Sequence, residues 1–461
     1  MEQKPLKLNY KRTLIIGFAF FGILMLWQVY NTYCPSILTE LFKTALGTTN
    51  ELKVQYIVGI FMALDNIVAL FMLPIFGALS DKTHTKFGKR MPYIVIGTIL
   101  SAIVFPLIVV MFLVNSLVGV IIMMALTLLF MQMYRNPAVA LMPDITPKPL
   151  RSKANGIINI VGYVGAILGG AMAMIFPFIK GTVDQPKLII PFAITAVCMI
   201  VTCAFLFAKI KENKIVDEIQ EDLKRGEELS ELNEPVGEET KLSKSNKISL
   251  ILLIAALFLW FAGFNAVETF WSNYGVYELN ISNYSLFTIV LTIASLISFF
   301  PASIISDKIG RKWTVVIGLV LVTGALFGLI FVPKSAGTYT KVVDGVTMTY
   351  NNTPVLLYVF FAIAGIGWAF INCCSYPMVV ELANSKNVGK YTGLYYAASM
   401  AAQSLTPVLA GLVVYFAGAW KYLFIYATIM MALALVVFLF INNVKVKKLK
   451  NKKGIEVFDQ D

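Results

Sequence analysis

Three ionisable side chains lie deep within long apolar segments of the sequence: Asp65, Arg135 and Glu268. Burial favours the neutral form of a carboxyl group, whereas a nearby arginine, which stays protonated, favours the carboxylate. An acid that moves between these settings can therefore take up and release a proton. We expect Asp65 to be the partner of Arg135 and at least one acid to couple proton movement. The alternative is a static buried ion pair.

A second set of side chains offers hydrogen-bonding groups and flat aromatic faces. Amide and aromatic residues recur at intervals of three or four along five apolar segments, which places each group on one helical face. Such groups suit a hydroxyl-rich ligand with a C–H face that stacks on a ring. The candidates are Trp27, Gln28, Tyr30, Asn31, Gln132, Asn136, Asn265, Trp271, Trp368, Asn372, Tyr376, Tyr395 and Gln403. Because a single aromatic residue is as readily explained by packing, the prediction depends on the cluster.

The composition indicates which solvent surrounds these groups. Of the 461 residues, 58% are hydrophobic and 14% are charged, whereas soluble domains carry about 25% charged residues. Several apolar runs exceed the roughly 18 residues that mark a membrane-spanning helix. The sequence therefore predicts an all-α integral membrane protein with the lipid bilayer as its partner.

The distribution of charge argues against nucleic-acid binding, and the placement of the cysteines argues against a metal site. The net charge is +12, but the basic residues lie between the apolar runs instead of on one amphipathic face, so we predict no nucleic-acid binding. The five cysteines lie within or at the edge of apolar runs and lack metal-ligand spacing. We predict no metal site.

Twelve apolar runs form two sets of six, separated by a polar and charged segment. Residues 1–208 form the first half, 209–247 a cytoplasmic linker with room for a short surface helix, 248–443 the second half and 444–461 a tail. The twelve spans lie near 14–34, 54–79, 93–113, 117–141, 156–178, 188–208, 248–273, 284–305, 314–332, 354–380, 391–416 and 421–442. The interiors of spans 3, 6, 9 and 12 lack Asn, Gln and charged residues, so we expect these spans at the lipid periphery, whereas spans 1, 4, 7 and 10 line a central cavity.

The distribution of basic residues predicts the orientation of the chain. With the N-terminus inside, 30 Lys and Arg residues lie on the inner side and 7 on the outer side. Positive loops favour the cytoplasm, so we expect both termini there and a multi-pass protein of the cell membrane. The loop of residues 333–353 then lies outside.

Two charged turns occupy equivalent places in the halves. GALSDKTHTKFGKR, residues 77–90, and its weaker copy SDKIGRK, residues 306–312, resemble the loop signature of the major facilitator superfamily. More narrowly, Pro74, Gly77, Ser80, Asp81, Gly88, Lys89, Arg90 and Pro92 are similar to the sucrose–proton symporters, their bacterial relatives, and the glycoside, pentoside and hexuronide symporters. NPAVALMPDITP, residues 136–147, and RSKANG, residues 151–156, extend this resemblance.

The resemblance implies a latch on the cytoplasmic side, in which an acid such as Asp81 caps a helix N-terminus of the opposite half. The gating candidates are Gly77, Asp81, Gly88, Lys89, Arg90, Asp144, Arg151, Asp307, Arg311 and Glu381. The alternative is that these charges only anchor the chain in the membrane.

One departure bears on the coupling ion. The melibiose-type branch carries a cation-binding aspartate directly before the proline of span 2, where this chain has Leu73. The resemblance therefore favours protons over sodium.

We expect a secondary active transporter that imports a sugar, either a disaccharide or a small glucoside, by symport with protons. The alternatives are an exporter of amphiphilic compounds and a non-transporting membrane sensor on the same fold. Phosphate-binding and nucleophile motifs of enzymes are absent from the sequence, so we expect no enzyme and no cofactor. A monomer is expected.

Overall fold

The computed structural model describes residues 6–233, 244–334, 337–343, 346–382 and 388–441. Within these residues, 12 helical segments are long and apolar enough to cross a membrane. The predicted all-α fold with twelve spans is confirmed.

The first six spans are built from seven helices, because the third span is broken. Helix α3 ends at Val104 and α4 begins at Leu107, and Pro106 between them has no N–H to continue the ladder. The seven helices are α1 (Tyr10–Ala45), α2 (Gln55–Lys82), α3 (Met91–Val104), α4 (Leu107–Leu113), α5 (Leu117–Asp144), α6 (Arg151–Ile175) and α7 (Ile189–Lys209). We call them the N-half.

The last six spans, which we call the C-half, follow two shorter helices, α8 (Glu212–Glu218) and α9 (Gln220–Asn233). The spans are α10 (Lys244–Asn273), α11 (Ser285–Ile309), α12 (Arg311–Leu329), α13 (Val355–Leu382), α14 (Val388–Ala417) and α15 (Lys421–Leu439). Gly310, at φ +89°, separates α11 from α12. Because glycine adopts positive φ without steric cost, it allows the chain to reverse there.

A β-hairpin follows α12, in the region where the sequence predicts only an outer loop. Strand β1 (Thr338–Val343) pairs antiparallel with β2 (Val346–Asn351), from Thr338 opposite Asn351 to Val343 opposite Val346. Thr, Tyr and Val are residues that favour strands. We call the side of the membrane with this hairpin the hairpin face, and the side with α8 and α9 the linker face.

The linker between the halves is more ordered than a simple tether. Helices α8 and α9 lie against the N-half, and an added Cβ at Gly226 would lie 3.0 Å from Pro147 Cβ. Glu212 is 2% exposed. The described part of the linker is therefore a packed element, while residues 234–243 lie outside the described residues.

The halves meet mainly through three pairs of helices: α1 with α10, α2 with α14 and α6 with α11. Helices α3, α7, α12 and α15 instead pack mainly against helices of their own half. They also expose large apolar side chains, as expected for lipid-facing positions: Ile103, Val201, Val320 and Val436. These helices are spans 3, 6, 9 and 12, which the sequence assigns to the periphery.

Candidate functional site

A cavity lies between the halves near the middle of the spans. Its volume is about 120 Å³, which is room for about four water molecules at their volume in the liquid. Polar groups from three helices line it: Gln28, Asn31 and Thr32 of α1, Glu268 and Ser272 of α10, and Ser285, Thr288 and Thr292 of α11. The remaining wall is mostly apolar, including Phe264, Val267, Leu291 and Phe361.

Gln28 connects the two halves inside this cavity. Its amide Nε2 donates to Thr32 Oγ1 at 3.2 Å and to Thr288 Oγ1 of the C-half at 3.4 Å. Thr288 in turn donates to its own helix, through Ser285 O at 2.8 Å. Because these hydrogen bonds are long, a bound ligand could replace them and bond to the same amide and hydroxyl groups.

Glu268 is the acid of the cavity. It lies deep in the protein, yet its side chain is exposed to the cavity because α10 turns that face inward. On the same helix, Asn265 donates its amide to Phe261 O at 2.8 Å. A carboxyl group in this position can reach a ligand and exchange a proton with cavity water.

Aromatic side chains form flat surfaces on both sides of the centre. Trp368 of α13 stacks on Phe264 with ring centroids 3.7 Å apart and an interplanar angle of 11°. Trp27 stacks on Tyr30 at 6.2 Å, and the guanidinium of Arg135 lies 5.8 Å from the Trp27 ring. The Arg135 charge is thus held beside a π face, which partly compensates for its burial.

The cavity lining contains only some of the predicted substrate residues. Gln28, Asn31, Glu268 and Trp271 line it. Trp271 also donates Nε1–H to Tyr284 O at 2.7 Å, so its ring is fixed. Arg135, which was predicted with Glu268 for proton coupling, lies outside this lining. So do the remaining predicted substrate residues: Trp27, Tyr30, Gln132, Asn136, Asn265, Trp368, Asn372, Tyr376, Tyr395 and Gln403.

Several of these outlying residues have evident structural contacts. Tyr30 and Gln132 are fully buried. Asn372 donates to Trp368 O at 2.9 Å, and Tyr395 shares a 3.0 Å hydrogen bond with Ser375. A polar residue at helical spacing can thus serve packing within its own half, which sequence periodicity alone does not distinguish from a ligand contact.

Sequence reasoning missed the hydroxyl groups of the site. Thr32, Ser272, Ser285, Thr288 and Thr292 all line the cavity. Serine and threonine are common in membrane helices, where they donate to their own backbone, so their presence alone carries little signal. The four-residue spacing of Thr288 and Thr292 on one helical face is the signal that could have identified them.

A buried polar network closes the hairpin face above the cavity. Asn273 of α10 donates to Thr39 Oγ1 and to Gln55 Oε1, each at 2.9 Å, and its Oδ1 accepts from Ser36 at 2.9 Å. Tyr277 donates to Glu40 Oε1 at 2.8 Å. All six residues of this network are nearly inaccessible to water. The network therefore seals the hairpin face.

The charged turn on the linker face is held within the N-half. Arg90 donates to Asp144 Oδ2 at 2.8 Å, to Ser80 and to Asp81, and Lys89 lies 3.1 Å from Asp144. Burial lowers the pKa of Arg90, but the carboxylates of Asp144 and Asp81 outweigh it, so the net pKa is raised. In this structure Asp81 accepts from Arg90 of its own half, and its expected contact with a helix N-terminus of the opposite half stays a prediction.

The acid that caps a helix in this turn is Glu212 of the linker, which sequence reasoning missed. Its carboxylate accepts from the backbone N–H groups of Lys89, Arg90 and Met91 at 3.0 to 3.2 Å. These are unpaired donors at the start of α3, where negative charge is favoured. Gly88, at φ +108°, allows the approach, because a Cβ there would collide with Glu212.

The remaining gating candidates are dispersed. Gly77 allows α2 to approach α5, since a Cβ would lie 2.5 Å from Asn136 Nδ2. Arg151 donates to Pro143 O at 2.9 Å. Asp307 is exposed and Arg311 is half-buried. The side chains of Asp65 and Glu381 lie outside the described part, so the pairing of Asp65 with Arg135 stays a prediction.

Comparison with known proteins identifies one matching family and several solved structures that share the fold. The profile of the Major Facilitator Superfamily matches residues 16–343 and 285–458. The partially occluded inward-open structure of the xylose transporter XylE from E. coli superposes with a TM-score of 0.64 and 14% identity, over 96% of this chain and 100% of that one.

Two further structures have the same architecture. The nucleoside transporter NupG gives a TM-score of 0.63 and 14% identity, over 93% of this chain and 99% of that one. The peptide transporter POT in complex with sulfate gives a TM-score of 0.62 and 15% identity, over 94% of this chain and 93% of that one. The comparison with curated protein sequences gives no significant match.

Proposed function

The chain belongs to the major facilitator superfamily, and from that premise we propose that it imports a sugar by symport with protons through alternating access. The observation that carries the proposal is the cavity between the halves, where amide, hydroxyl and aromatic groups surround one acid, Glu268. Hydroxyls of a sugar require donors and acceptors, and its C–H faces require flat apolar surfaces.

The cavity volume supports binding of one ring at a time in this conformation. A volume of about 120 Å³ is too small for two rings, so the second ring of a disaccharide would extend beyond this cavity. Gln28 would exchange its bond to Thr288 for bonds to the substrate, which would couple binding to the contact between halves. Only a ligand that binds two states unequally can shift their populations.

Proton coupling is assigned to Glu268, Asp65 and Arg135, with sodium as the weaker alternative. The linker face is taken as cytoplasmic in this proposal, since most basic residues lie there. Glu268 faces the cavity, so it can load a proton together with the substrate. The partner of Arg135 in this scheme is Asp65, which would release its proton when the guanidinium approaches.

The test uses amide variants in membrane vesicles. Asp65→Asn and Glu268→Gln each mimic a permanently protonated acid, so sugar counterflow should continue while uphill accumulation and sugar-induced alkalinisation are lost. Glu268→Gln should also lower sugar affinity, because this side chain lines the cavity. Asp184→Asn, an exposed acid outside the spans, is the matched control. Accumulation that persists in both variants, or follows sodium, would contradict the assignment.

A second candidate function is export of amphiphilic compounds. It is favoured by the apolar part of the wall, which includes Phe264, Val322, Leu326 and Phe361. An exporter should lower the cellular content of a lipophilic cation, and binding of that cation should quench the fluorescence of Trp271. A sugar importer should respond to sugars alone. Measuring both with one preparation separates the candidates.

A further inference from the structure

A cavity at the linker face lies between the charged turn and the start of the linker. Its volume is about 270 Å³. Its walls come from Lys86 and Phe87 of the turn, from Phe207 and Ile210 at the end of α7, and from Lys211 and Lys214 of the linker. None of these residues belongs to the transport site described above.

The cavity has an apolar wall and two ammonium groups placed against it. The rings of Phe87 and Phe207 lie 5.3 Å apart. Lys86 Nζ lies 5.0 Å from the centroid of Phe87, and Lys211 Nζ lies 5.3 Å from that of Phe207. Each lysine thus presents one side to a ring and leaves its other donors available.

The acidic groups nearby do not neutralise these two lysines. Glu212 also borders the cavity, but its oxygens accept from the N-terminus of α3. Glu218 lies 3.8 Å from Lys214 and compensates that charge, and Asp217 is on the exposed rim. Among the described residues, neither Lys86 nor Lys211 forms an ion pair.

The position of the cavity selects the kind of ligand. It lies at the ends of α3 and α7, which pack on each other and expose apolar side chains such as Ile103 and Val201. These helices face lipid, so the cavity lies at the level of the headgroups. The exposed ring of Phe87 extends the apolar surface toward the acyl chains.

We propose that this cavity binds the phosphate of an anionic phospholipid, with Lys86 and Lys211 on the phosphate and Phe87 and Phe207 against the glycerol and upper acyl chain. Basic pockets between helices on the cytoplasmic side are suited to such headgroups. A bound lipid would hold the turn and the linker together. The proposal does not depend on the transported substrate.

The test measures retained lipid on the full chain in nanodiscs that contain phosphatidylglycerol and phosphatidylcholine. Native mass spectrometry should show preferential retention of phosphatidylglycerol, and the double variant Lys86→Gln/Lys211→Gln should reduce it about tenfold or more, at ~1 kcal/mol per lysine. The matched control is Lys308→Gln/Lys312→Gln, which removes the same charge on the same face in the other half. Equal retention in the two double variants would overturn the proposal.

A second arm separates a lipid from a soluble phosphate. Glycerol 1-phosphate at millimolar concentration should not displace the retained lipid, and Phe87→Ala should weaken retention although no charge is lost. Displacement by glycerol 1-phosphate together with an unaffected Phe87→Ala variant would identify a soluble anion site and overturn the lipid assignment.

Discussion

At the scale of single residues, the most informative side chains are those whose partners lie in the other half. Asn273 is fully buried and bonds to three side chains of the N-half. The sequence shows Asn273 as an ordinary polar residue near the end of a span, because its partners are more than 200 positions away. The sequence indicates Glu268, which lines the cavity, since a charge within an apolar run is costly and therefore conspicuous.

We predict that Asn273→Ala destabilises the closed hairpin face. The substitution removes one hydrogen bond each from Thr39, Gln55 and Ser36, at about 1 kcal/mol for each buried hydrogen bond. The open population should rise roughly tenfold or more. A cysteine placed at Thr32 reports this as faster labelling by an impermeant thiol reagent added on the hairpin side.

The control for this prediction is Asn265→Ala on the same helix. Asn265 donates only along its own helix, to Phe261 O, so its loss should not change labelling from the hairpin side. Equal labelling rates in the two variants would show that the Asn273 bonds do not hold the halves together.

At the scale of elements, the sequence predicts the spanning helices well and the linker poorly. Runs of apolar residues identify the spans, because each must satisfy its backbone bonds internally in lipid. Helices α8 and α9 are polar, so their sequence resembles a solvated tether. Their packing on the N-half is evident from the contacts of Glu212 with the start of α3 and of Gly226 with Pro147. The β-hairpin was missed because it is short and lies in a polar loop.

The contact between α2 and α14 requires a residue without a side chain. A Cβ on Gly59 would collide with the carbonyl of Pro407 on α14. We predict that Gly59→Val keeps the hairpin face open and strongly slows the transport cycle, because backbone atoms cannot move aside as a flexible side chain can. Distance measurements between spin labels on the hairpin ends of α2 and α14 should show the wider separation.

Gly393 on α14 provides the matched control, since a Cβ there meets nothing within 4 Å. Gly393→Val introduces the same side chain into a helix without the collision. A narrow, wild-type distance in Gly59→Val would show that the helices can slide past the added methyl groups, and that the close approach is not required for closure.

At the scale of the whole molecule, the twelve-helix architecture follows from sequence, whereas the closed state follows from contacts between distant parts. Repeated six-span hydropathy and the two charged turns indicate two related halves. Which face is closed depends on pairs such as Tyr277 with Glu40, and no local pattern encodes such pairs. The cavity was predicted as a meeting of polar faces, but its hydroxyl lining required the packed helices.

The β-hairpin extends this closure beyond the membrane. The hairpin lies between two helices of the C-half in the sequence, and the hydroxyl of Tyr339 shares a 2.7 Å hydrogen bond with Ser282 of that half. It also contacts the N-half, because Lys341 Nζ donates to Met174 O at 3.2 Å and Tyr350 packs on Ile179. Any separation of the halves on this face must therefore break contacts of the hairpin with one half.

We predict that replacing residues 338–351 by a Gly-Ser segment of the same length accelerates opening of the hairpin face by a few-fold, because about 1 kcal/mol of contacts between halves is removed. The readout is the labelling rate of a cysteine at Thr32 from the hairpin side. Lys341→Ala should give a smaller increase, since it removes only the bond to Met174 O. Thr347→Ala, an exposed hairpin position, is the control. A labelling rate that is unchanged by the full replacement would mean that the halves are held by the buried network around Asn273 alone, and that the hairpin follows the motion without opposing it.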